Sequence, residues 1–134
     1  MRFPRHLYRP VFFVAFAWLG CGALRAEEAR IVPSGVNQQI DFFASVNPDC
    51  STPGLPTVRL VEGPSRGTVT TDKGRDFMTF ARGNVRSACN KRRVMGVKLF
   101  YRSEKGFMGV DRVKILVISA AGTGREAIYA IQAR

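Results

Sequence analysis

Short runs of β-branched and aromatic residues recur along this chain, each cut off by a cluster of glycine, proline, asparagine or aspartate. Such runs are too short and too regularly interrupted for helices, and no stretch holds a helical apolar period. From about residue 38 the runs are 38–46 (QQIDFFASV), 57–61 (TVRLV), 67–71 (GTVTT), 77–81 (FMTFA), 94–102 (VMGVKLFYR), 112–119 (RVKILVIS) and 125–132 (REAIYAIQ). Pro48 to Gly54, Gly63-Pro64, Asp72-Lys73-Gly74 and Gly122-Thr123-Gly124 read as the connections between them. About seven strands at roughly 8–12-residue spacing predict an antiparallel β-sandwich. The alternation sorts the faces: Ile40, Phe42 and Ala44 share one side, as do Val58 and Leu60. The same holds for Val97, Leu99 and Tyr101, and for Val113, Ile115 and Val117.

Ahead of these runs stands a segment of a different kind. Arg2, Arg5 and Arg9 precede the apolar stretch Val11 to Leu19, and Leu24-Arg25-Ala26 then leads into Glu27-Glu28. A basic start, a short apolar centre and a small residue before a polar boundary form a cleavable export signal over residues 1–26. The apolar stretch is shorter than the ~20 residues a membrane-spanning helix needs. Leu19-Gly20-Cys21 partly resembles a bacterial lipobox, so lipidation at Cys21 is the alternative to simple cleavage after Ala26. Cleavage leaves residues 27–134, the size of one domain, in the periplasm or outside the cell. No span remains after it.

Processing also strips chemistry from the chain. His6, Trp18 and Cys21 are the only histidine, the only tryptophan and one of three cysteines, and all lie in the leader. Cys50 and Cys89 are left with each other, and an oxidising compartment favours a disulfide between them. A metal site built on the two thiolates would lack its other ligands. Without histidine there is no Ser/His or Cys/His nucleophile, and the carboxylates are scattered with no glycosidase-like pairing. The chain is therefore expected to be no enzyme and to carry no cofactor or metal, with a hydrolase as a weak alternative. Asp111, in Gly106-Phe107-Met108-Gly109-Val110-Asp111, reads as a cap on the turn into the next strand. On that reading Asn would serve there at little cost. Calcium ligation, which wants six to eight oxygens, finds no companion acidic motif.

What remains is basic: seventeen Lys and Arg against ten Asp and Glu after the leader is removed. Arg82, Arg86, Lys91, Arg92 and Arg93 gather in the loop that carries Cys89, a candidate anion-binding surface. Nucleic acid is not the expected partner, because export separates the two and no aromatic stacking motif interleaves the cluster.

Three further stretches, Pro64-x-x-Gly67-x-Val69, Val94-x-Gly96-x-x-Leu99-Phe100-Tyr101 and Gly106-Phe107-x-Gly109-x-Asp111-x-Val113, resemble successive strands of the immunoglobulin-like or cadherin-like modules of bacterial exported proteins. The resemblance covers about Gly63 to Ser119 and implies a sandwich. Such modules often recur in tandem, whereas here there is one copy with two cysteines, as in a related small exported group that this chain looks like. The expected role is a non-enzymatic binding or structural module at the cell envelope, facing anionic polysaccharide or lipid. The alternative is a small periplasmic inhibitor or accessory subunit that docks on another exported protein.

Overall fold

The computed structural model describes residues 26–134, so the segment expected to be an export signal lies, except for Ala26, outside the described residues. Seven strands form two facing sheets: β1 (Glu27–Val32), β2 (Gln38–Phe43), β3 (Thr57–Glu62), β4 (Gly67–Phe77), β5 (Arg93–Ser103), β6 (Gly109–Ile118) and β7 (Gly124–Ala133). One sheet runs β1-β7-β6-β3 and the other β2-β5-β4. The expected all-β sandwich is what forms. Pairing is antiparallel throughout except between β1 and β7, which run parallel.

Inward-facing residues of both sheets meet in one core, centred on Leu99 and Tyr101 of β5, Val113 and Ile115 of β6, and Tyr129 and Ile131 of β7. The alternation read along β5 and β6 holds: Val97, Leu99, Tyr101, Val113, Ile115 and Val117 are all buried. In β2 it fails. The pairing with β5 slips between Gln39 and Asp41, an extra residue that turns Ile40 and Phe43 inward together. Phe42 and Ala44 instead join a second, smaller cluster with Val46, Cys89 and Val94.

Two strands depart further from the pattern. Asp72-Lys73-Gly74 is no turn; it continues β4 in register against Lys98, Val97 and Gly96. A Cβ on Gly74 would stand 3.1 Å from the end of the flexible Lys98 side chain, a contact that a small shift of the lysine relieves. Residues 78–81, expected as a strand, leave the sheet after Phe77. Asn90 explains this: its amide accepts from Phe80 N (2.9 Å) and donates to Phe80 O (2.8 Å), taking both groups a neighbouring strand would use.

β1 was not legible as a strand because its inward side is mostly polar. Glu28, Arg30 and Val32 alternate with more exposed residues, and only Val32 belongs to the core. Arg30 closes the sandwich edge by donating Nε to Ile40 O at 2.7 Å and pairing with Glu28 at 2.7 Å.

The sheets are also bonded across the core by two phenols. Tyr101 of β5 donates to Asp111 of β6 (3.1 Å), and Tyr129 of β7 donates to Asp41 of β2 (2.6 Å). Burial raises both tyrosine pKa values well above 10.0, and the adjacent carboxylates raise them further. Asp111 itself is only 4% exposed and does more than cap its own turn. Its carboxylate also accepts from Ser65 N (2.8 Å) and Arg66 N (2.9 Å), holding the β3–β4 turn against β6.

Candidate binding surface at the disulfide-braced loop end

The two ends of the sandwich are built differently. At one, the connections 33–37, 63–66 and 104–108 are short turns. At the other, residues 44–56 and 78–92 form long loops beside the 119–123 turn. Long loops on a rigid sandwich are where binding residues concentrate.

The long loops are cross-braced. Cys50 and Cys89 form the expected disulfide, with a sulfur–sulfur distance of 2.07 Å, and Cys89 is fully buried. Arg86 donates Nε to Val46 O at 2.6 Å, joining the same two loops a second time. Asn84 accepts from Arg86 N at 2.9 Å, and Asn90 clasps Phe80 as described. Ser45 Oγ accepts from Ala120 N at 2.9 Å, which ties in the third connection. Loop side chains therefore sit on a platform braced at several points.

The five basic residues singled out from the sequence are brought to this platform, but not as equals. Arg86 is half-buried and spends its guanidinium on Val46. Arg82, Lys91 and Arg92 are exposed, Lys91 closing a short 3₁₀ turn (Ser87–Lys91). Arg93 opens β5 and lies over the Phe77 ring, 5.5 Å from its centroid. Pairing of β4 with β5 adds two cations the sequence did not group with them: Arg75 stands opposite Met95, and Lys73 opposite Val97. Among the described residues no carboxylate lies within 4.0 Å of Lys73, Arg75, Arg82, Lys91, Arg92 or Arg93. Among the described cations elsewhere, Arg30, Arg66, Arg112 and Lys114 do have such partners, whereas Arg59, Arg102 and Lys105, which stand apart from one another in the chain, do not.

Two carboxylates near the platform, Asp76 and Asp49, are engaged. Asp76 accepts from Gln39 Nε2 (2.9 Å) and Phe77 N (2.9 Å); these bonds, with Lys98 and Arg93 nearby, hold its pKa below 3.8. Asp49 is held low in the same way by the Ser51 hydroxyl and N–H. Below the platform a cleft of about 210 Å³ opens between the sheets, lined by Phe42, Phe43, Met78 and Val117 with Arg125 at its rim. Arg125 stacks over Phe43, 5.6 Å from the ring centroid. No three His, Cys, Asp or Glu side chains among the described residues are grouped to hold a metal ion. Nor is any helix among them long and apolar enough to cross a membrane.

No family model matches the chain, and neither a search of curated proteins nor one of solved structures finds a match.

Proposed function

We propose that this chain is an exported, non-enzymatic module of the immunoglobulin-like or cadherin-like kind that binds anionic cell-envelope material through its loop end. The observation that carries the reading is the set of cations without ion-pair partners, fixed on a loop that a disulfide, Arg86 and Asn90 hold rigid. Like charges gathered on a braced platform repel one another, and a bound counter-charge offsets that cost.

Two features support the module type. Six strands have the sheet membership of the immunoglobulin arrangement, with β2, β5 and β4 in the places of B, E and D, and β3, β6 and β7 in those of C, F and G; β1 departs from it by pairing with β7. The residues behind the resemblance also converge at one corner. Asp111 bonds Tyr101 and the turn after Pro64, and a Cβ on Gly67 would come within 2.7 Å of the Tyr101 ring. Export is supported by the disulfide and by the leader-like sequence before Glu27.

The test is retention on an acidic polysaccharide matrix and on anionic vesicles as salt rises. The Debye length falls from ~10 Å at 0.1 M to ~3 Å at 1 M, so binding is expected at low salt and lost at high salt. Replacing Lys91, Arg92 and Arg93 with Ser should weaken it far more than replacing Arg59, Arg102 and Lys105, with melting temperatures nearly unchanged. Equal losses from the two sets would reduce the loop end to a share of overall charge. No retention on either material would overturn the reading.

A further inference from the structure

The β4–β5 ribbon outruns its sheet. β2 pairs with β5 only as far as Val97, whereas β4 and β5 stay paired to Phe77 and Arg93. The overhanging part, residues 74–77 and 93–96, has two unlike faces. On one, Val94 packs into the disulfide cluster and the Phe42 ring lies so close to Gly96 that a Cβ there would meet it at 2.6 Å. That face is covered.

The opposite face carries Arg75 and Phe77 of β4 beside Met95 and Arg93 of β5, and continues to Lys73. Phe77 is 49% exposed and Met95 is 41% exposed, large values for an aromatic ring and a thioether within regular strands. Each sits next to a cation, and none of these cations has an ion-pair partner within 4.0 Å among the described residues.

We infer that this face docks on an anionic lipid bilayer. The inference rests on the loop-end reading above and names its partner. Three cations and two large apolar side chains on one sheet face need a partner offering negative charge and an apolar medium within a side chain's reach. A bilayer surface has both, since apolar groups settle ~5–10 Å into the headgroup boundary while cations stay among the phosphates. A soluble acidic polymer would satisfy Lys73, Arg75 and Arg93 but leave Phe77 and Met95 in water. A second copy of the chain would cover the apolar pair only by setting like charges face to face.

The test uses the processed chain, residues 27–134, with Phe77→Trp; Trp18 leaves with the leader, so the introduced indole is the single tryptophan and still carries a ring beneath Arg93. Phosphatidylcholine vesicles containing phosphatidylglycerol should shift its emission to the blue and shield it from aqueous quenchers; pure phosphatidylcholine should do neither. Each Lys or Arg near an anionic surface is worth about fivefold in affinity, so replacing Lys73, Arg75 and Arg93 together with Ser should weaken vesicle binding on the order of a hundredfold. Met95→Ser should weaken it several-fold and retain the parent's salt dependence. Co-sedimentation of the processed chain without substitution gives the same discrimination between vesicles. Vesicle binding without a blue shift, and indifferent to Met95→Ser, would overturn the inference by showing charge alone at work. Binding to acidic polysaccharide but not to vesicles would overturn the lipid partner and leave the loop-end reading standing. Concentration-dependent dimerisation lost in Met95→Ser would assign the face to a second copy.

Discussion

Replacing Asp111 with Asn removes one charge and almost no volume, yet it should be among the most damaging polar substitutions in the domain. Four donors converge on the carboxylate: Ser65 N and Arg112 N on Oδ1, Arg66 N and the Tyr101 hydroxyl on Oδ2. An amide offers one oxygen. In its better orientation Asn keeps Ser65 N and Arg112 N on that oxygen and turns its NH2 toward Tyr101, whose hydroxyl can rotate to accept. Arg66 N then faces a second donor. A buried N–H without an acceptor costs ~1–3 kcal/mol, and the surviving bonds lose their charge-assisted strength. Because Ser65 and Arg66 are exposed on their outer side, water can relieve part of this. The expected loss is therefore about 2–3 kcal/mol, a fall in melting temperature on the order of 15 °C for a domain of this size. Tyr101→Phe, which leaves the carboxylate its backbone donors, should cost only about 1 kcal/mol. Urea unfolding followed by circular dichroism measures both. Calcium should raise neither melting temperature, since the carboxylate is already engaged by donors. If Asp111→Asn costs under about 0.5 kcal/mol, the carboxylate is a replaceable turn cap and the reasoning fails. If calcium stabilises the parent but not the variant, the site is a metal site.

Tyr101 and Tyr129 are held neutral by burial and by their carboxylate partners, so the unfolded chain loses phenolic protons first as pH rises. Their stabilising effect is complete below about pH 10 and disappears above it; ultraviolet titration should show them ionising together with alkaline unfolding, and ordinary reversible titration near 10 while the fold persists would contradict this. Cys50→Ser opens a loop closed over a separation of 39 residues and should cost about 4 kcal/mol in the chain-entropy model. Amide exchange should rise first over residues 78–92, and a denaturation midpoint unmoved by reductant in the parent chain would refute the brace.

Period-2 alternation settled the fold class, because a half-buried strand must place every second residue on the core; β6 follows that rule along its length, and β5 follows it from Val97 onward. The disulfide was likewise legible, since reading residues 1–26 as a leader leaves two cysteines with no other thiol or imidazole to meet. Local sequence misled where a distant group supplied the partner. Residues 78–81 have strand composition, but the Asn90 amide takes the pairing at Phe80. Residues 72–74 have turn composition, but β5 holds them extended. β1 lacks an apolar stripe and is kept in place by β7 and by Arg30 bonding Ile40 O. The candidate surface divides in the same way. Arg82, Arg86, Lys91, Arg92 and Arg93 were visible as a cluster because they are neighbours in the chain, whereas Lys73, Arg75, Phe77 and Met95 join them only through the β4–β5 register. That Arg86 braces the loop while Arg92 stays exposed, and that one ribbon face is covered while the other is bare, was decided in three dimensions. Side-chain periodicity reports which way a residue points along its own strand; what it meets there depends on segments tens of residues away.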